Sequence, residues 1–113
     1  MANLTIDLAD LLTKAGCTQA LIDVAKERGR QVREKGWTPE HDDAEHDVET
    51  LASAAMAFAQ SSFSEPDEDP EDIGFWWPFQ EPMKRKTSRE DLVRAGAMIV
   101  AAIEFIDRAA ARG

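Results

Sequence analysis

The densest run of groups able to do chemistry is Glu40-His41-Asp42-Asp43-Ala44-Glu45-His46-Asp47. If the chain is helical from Asp42, then Asp42 and His46 stand at i and i+4 and share one face, and Asp43 and His46 stand at i and i+3. A carboxylate and an imidazole at that spacing can hold a transition metal, or magnesium carrying a phosphate. A helix N-terminus also favours carboxylates, but that leaves both histidines unexplained. A second acidic pair, Glu104 and Asp107, has E-x-x-D spacing near the C-terminus. The positive counterpart is Arg28, Arg30 and Arg33, followed by Trp37. A guanidinium beside an indole can clamp a phosphate while the ring stacks on a base. The plainer alternative is a charged helix face with pairs such as Arg30–Glu34. Trp76-Trp77-Pro78-Phe79 is either a ligand wall or a plug over the core. Cys17 precedes a helix start and is read as packing.

The chain that must position these groups has 113 residues, enough for one domain with one core. Hydrophobic residues make up 43%, which argues against a wholly disordered chain. Thirteen basic residues against 22 acidic ones give a net charge of −9. Such a surface repels phosphate backbones, so duplex nucleic acid is excluded as a general partner. One cysteine allows neither an internal disulfide framework nor a cysteine-rich zinc site. No apolar run reaches the ~20 residues of a membrane span, and no secretory signal is visible. A cytoplasmic protein without a membrane partner is expected.

Four helices are predicted and no strand. Leu4 to Ala15 carries Leu4, Leu8, Leu11 and Leu12 on one stripe and stops at Gly16. Thr18 caps a second helix over Gln19–Lys35, with Leu21, Val24, Ala25 and Val32 inward and Gly36 as its stop. Gly29 inside that helix marks either a close approach or nothing. Pro39 lies in a connector. A third helix runs over Asp43–Ser61 on Val48, Leu51, Ala52, Ala55, Met56 and Ala59. Ser88 caps the last helix, whose buried face is Leu92, Ala95, Ile99, Ala102, Ile103 and Ile106. Between the last two helices, residues 64–87 form a long loop that is acidic first (Glu65, Asp67, Glu68, Asp69, Glu71, Asp72), then aromatic, then basic (Lys84-Arg85-Lys86). Its length exceeds ordinary helix connections, so it is functional or flexible.

Two resemblances follow from these residues. Glu40 and Asp43, taken with Glu104 and Asp107, are similar to the paired acidic helices of all-α nucleotide pyrophosphohydrolases of the MazG type. That likeness implies magnesium held by Glu40, Asp43, His46, Glu104 and Asp107. The stretch A-K-E-R-G-R-Q-V-R-E-K-G-W-T-P-E-H-D-D resembles the core signature of the RyR domain, the module repeated in ryanodine receptors and found in bacteria and phages. The matching positions are Ala25, Arg28, Gly36, Trp37, Thr38, Asp42 and Asp43. Trp77-Pro78-Phe79 and Arg89-Glu90-Asp91-Leu92-Val93 correspond loosely, so the likeness spans about Val24 to Ile106. The chain departs from the family in its Ala-rich helix at Val48–Gln60 and in lacking tyrosine altogether. Small phage and prophage accessory proteins look similar.

The resemblance implies a helical module that binds a nucleotide or a cyclic-nucleotide-like phosphate compound without catalysis or cofactor. Arg28 and Arg33 take the phosphate, Trp37 and Trp77 stack, Thr38 stands at the same corner, and Asp42 or Asp43 accepts from ribose hydroxyls. The alternatives are the magnesium-dependent hydrolase and an acidic interaction protein that offers Glu65–Asp72 to a basic host protein. A homodimer stays open. Trp37 is further expected to anchor its corner, since a large ring at a chain turn must fold back on neighbouring apolar groups.

Overall fold

The computed structural model describes residues 8–69, 72 and 76–113, with the backbone alone for residues 8 and 9. The expectations for Leu4 and for Gly74-Phe75 lie outside these. All regular structure among the described residues is helical: α1 (Leu8–Lys14), α2 (Gln19–Lys35), α3 (Pro39–Glu45), α4 (Val48–Phe63) and α5 (Ser88–Arg112). No described helix is long and apolar enough to cross a membrane.

The expected third helix is in fact two. Thr38 takes extended backbone and its hydroxyl accepts from the His41 N–H, so Pro39 opens α3 with a fixed φ and no donor to lose. At His46 and Asp47 the backbone is extended again, and Asp47 caps α4 by accepting from Thr50 N–H at 2.7 Å. That backbone bond holds the Asp47 carboxyl below its ordinary range. The last helix is capped by Thr87 rather than Ser88. The Thr87 hydroxyl accepts from Glu90 N–H and donates to the Glu90 carboxylate, while Asp91, three residues after Ser88, is engaged by Ser61, the Lys86 N–H and Arg94.

The core is the seam between α4 and α5. Leu51, Ala54, Ala55 and Phe58 of α4 meet Ala95, Met98, Ala101 and Ala102 of α5. Alanines at the contact let the two helices approach closely. They run antiparallel, since Ser61 near the end of α4 bonds Asp91 near the start of α5. The apolar face expected on α5 is therefore turned. Leu92, Ile99, Ile103 and Ile106 are each about half exposed, because the alanine face fits α4. Met56 and Leu21 are also exposed, where inward positions were expected.

The inward stripe of α2 is Val24, Arg28 and Gln31, at i, i+4 and i+7, and two of the three are polar. Val24 packs on Gly96 of α5, where a Cβ would meet its methyl at 3.0 Å. Gly36, at φ +70°, ends α2 in the left-handed region, and the N–H groups of Gly36 and Trp37 return to the Gln31 carbonyl. This corner aims Trp37 back at the core and starts α3 beside α2 and α5.

Candidate functional site

Three helices converge on a buried polar cluster. Arg28 of α2 is 8% exposed and divides its donors three ways. Its Nε donates to Glu104 of α5 at 2.8 Å, one Nη to the Trp37 carbonyl at 3.2 Å, and the other to Asp42 Oδ2 at 3.3 Å. Asp42 is 1% exposed. Its second oxygen, Oδ1, faces His46 Nδ1 at 3.2 Å and His41 Nδ1 at 3.6 Å. The His41 and His46 rings meet edge to face with centroids 5.0 Å apart. His41 Nδ1 is buried without a hydrogen-bond partner among the described residues.

An aromatic lid covers this cluster. Phe79 lies 5.3 Å from the His46 ring, 5.6 Å from Trp37 and 5.0 Å from Trp77. The two indoles expected to face each other across a ligand both lean on Phe79. Trp77 also packs on Phe58 and donates its Nε1–H to the Glu81 carbonyl. The aromatic loop is thus a plug over the α4–α5 seam, the plainer of its two readings.

Asp43 points the other way on α3. It accepts from Arg108 at 2.9 Å and Arg112 at 3.0 Å, and the Arg108 hydrogen bonds hold its carboxyl below the ordinary range. Glu40 and Asp107 are exposed. The fold does bring α3 and the end of α5 together, as a shared magnesium site requires. Yet Asp43 faces two arginines and Glu104 faces a third, so these carboxylates already have cationic partners.

Arg33 lies elsewhere, in a groove of about 430 Å³ between α2 and the first turns of α5. Six basic side chains line it, Lys26, Arg30, Arg33, Lys86, Arg89 and Arg94, against three acidic ones, Asp23, Glu27 and Glu90. Asp23 pairs with Arg89 at 2.9 Å across the groove. Glu27 is engaged by Arg30 at 2.7 Å; burial pushes its carboxyl up, but the Arg30 bonds outweigh this and leave it below the ordinary range. The Arg94 Nε, at the groove's inner edge, is buried without a hydrogen-bond partner among the described residues. The Arg33 guanidinium folds back over Gly29, 2.8 Å from where a Cβ would stand.

Of the residues expected to bind a ligand, Arg28, Trp37, Thr38, Asp42 and Asp43 gather around α3, Trp77 joins them through Phe79, and Arg33 stands in the groove. Lys26, Lys86, Arg89 and Arg94 were not anticipated as lining residues. Two signals point to them: the basic run Lys84-Arg85-Lys86 directly before a capped helix, and an α2 face whose inward phase carries Arg28 and Gln31. No family model, curated protein or solved structure matches this chain.

Proposed function

We propose that this protein is a binding module for a small phosphate-bearing compound of the nucleotide class, taken up in the groove between α2 and α5. The observation that carries the reading is six basic side chains converging on one groove in a chain of net charge −9. Arg30, Arg89 and Arg94 are matched by Glu27, Asp23 and Asp91, while Lys26, Arg33 and Lys86 stand against one further lining carboxylate, Glu90, a local positive excess that focuses the field there. Guanidinium groups suit phosphate oxygens in pairs, and the first turn of α5 adds its own positive dipole end. Val93 is the one apolar residue lining the groove, so charge rather than ring stacking carries recognition there. The likeness to the RyR module supports a small-ligand role, and of the groove residues its matching positions reach only the loosely corresponding Arg89, Glu90 and Val93.

The hydrolase alternative gains nothing from the arginine-paired Asp43 and Glu104. The test is calorimetric titration with pyrophosphate and a panel of mono-, di- and cyclic nucleotides. Binding is expected to weaken at least tenfold in Lys26→Glu and Arg33→Glu. No heat with any member at millimolar ligand rejects the reading, as does binding unaffected by both variants.

A further inference from the structure

The cluster on α3 has donor geometry that the groove reading does not use. Three atoms, Asp42 Oδ1, His46 Nδ1 and His41 Nδ1, lie within 4.8 Å of one another. The two separations from Asp42 Oδ1 are 3.2 and 3.6 Å. A tetrahedral zinc ion with bonds of 2.0–2.1 Å sets its ligand atoms ~3.3 Å apart, so these separations match the edges of such a shell. We propose that His41, Asp42 and His46 bind one divalent cation of the zinc class, with a fourth position left for water or a ligand.

Four observations support this. First, the His41 Nδ1 is a buried nitrogen with no hydrogen bond among the described residues, and it faces the other two donors. A cation gives it the partner that the protein does not. Second, the charges favour a cation despite Arg28. That guanidinium is shared between Asp42 and Glu104, so the three groups sum to −1. Third, Asp42 is split by its surroundings. Oδ2 is held by Arg28, which fixes the carboxylate plane and leaves Oδ1 turned to the imidazoles. Fourth, His46 is locked in place, 9% exposed and packed by Trp37 and Phe79. Two imidazoles with one carboxylate suit zinc, nickel or cobalt over magnesium, which prefers oxygen. His41 is the accessible side of the site, since its side chain is 36% exposed against 9% for His46 and 1% for Asp42.

The experiment uses the full chain, stripped of metal, in phosphate-free buffer. Zinc is added alone and followed by calorimetry, and cobalt alone is followed by visible absorption. One equivalent of zinc and the intense bands of tetrahedral cobalt are expected. His41→Ala and His46→Ala each remove a ligand and should weaken zinc binding by more than the roughly 10–100-fold that losing an outer-shell partner brings. The partly exposed His41→Ala should keep its fold, which circular dichroism verifies. Glu40→Ala, outside the donor set, should bind zinc like the parent. Absence of zinc uptake overturns the proposal, as does uptake unchanged in both histidine variants or magnesium competing at equal concentration.

Discussion

Among the described residues, two buried arginine–aspartate pairs stand at opposite ends of the molecule's core, and they are built differently. At one end of the α4–α5 seam, Asp91 is fully buried and accepts from the Ser61 hydroxyl at 2.7 Å, from the Lys86 N–H at 3.1 Å and from Arg94. Arg94 in turn donates to the Lys84 carbonyl and lies over the Phe58 ring at 4.3 Å. Arg85 extends the network into the loop, bonding the Ser61, Ser64, Glu65 and Pro66 carbonyls. Here both Asp91 oxygens have donors, and the result ties the long loop to both helices. At the other end, Asp42 gives one oxygen to Arg28 and turns the other to two imidazoles, which are acceptors as readily as donors. A carboxylate surrounded by donors is a clamp; one sharing space with other potential acceptors is a site.

The sharpest way to break that comparison is Asp91→Asn. It leaves Arg94 buried without its counter-charge, and such a loss typically costs about 3–5 kcal/mol. Denaturant unfolding should show it as a large fall in midpoint. Trp37→Ala comes next. Truncating a buried aromatic costs ~3–5 kcal/mol, and the partly buried Trp37 belongs at the lower end. Thermal melting should show a drop of many degrees, and a variant melting like the parent would mean that the aromatic lid holds nothing down. Asp42→Asn should cost less stability, about 1–3 kcal/mol, because Arg28 keeps Glu104 and the Trp37 carbonyl. It should nonetheless weaken zinc uptake, since a neutral amide oxygen is a poorer zinc ligand than the carboxylate. Equal losses in Asp91→Asn and Asp42→Asn, with metal binding intact in the second, would erase the distinction between the two pairs.

Two smaller effects sharpen it. Arg33→Glu should move stability by no more than ~0.5 kcal/mol, as exposed sites do, while weakening phosphate ligands. The last concerns pH. The Gln19 amide and then Arg89 hold the Asp23 carboxyl below its ordinary value of 3.8. The unfolded chain therefore takes up the proton first. The contribution of Asp23 is complete above the unfolded value and is lost as pH falls through the lower folded one. Acid unfolding curves of Asp23→Asn should show a shallower slope below pH 4 than the parent, and little difference at neutrality.

Much of the helical architecture was legible in the sequence. Thr18, Gly36 and the apolar spacing delimited α2 at its observed ends, because caps are local chemistry. The aromatic cluster Trp76-Trp77-Pro78-Phe79 left a ligand wall or a plug open, and Trp77 and Phe79 do pack on the seam. The division at His46-Asp47 was not legible, because the residues either side all tolerate helix and only an extended backbone at two positions breaks it. The buried face of α5 was missed for a related reason. Its large residues and its alanines both recur at helical spacing, and only the partner decides which set is covered. At the site, residue types were visible but their pairing was not. Nothing local says that Asp43 will meet Arg108, 65 positions away, while its neighbour Asp42 turns inward to Arg28.

The brevity of α3 has a consequence in time. Seven residues are too few to hold a helix in water, since nucleation is unfavourable and such a segment closes few hydrogen bonds. The segment is stabilised by Asp43 with Arg108, 65 positions away, and by Asp42 with Arg28, which is itself held by Glu104, 76 positions further along the chain. Loop-closure cost rises with separation along the chain, so these contacts are expected to form after the α4–α5 hairpin has closed and the histidines to come together late in folding. Substitutions in α3 should speed unfolding and leave the folding rate nearly untouched, and stopped-flow chevrons of Asp43→Ala against Ala101→Gly would display the contrast.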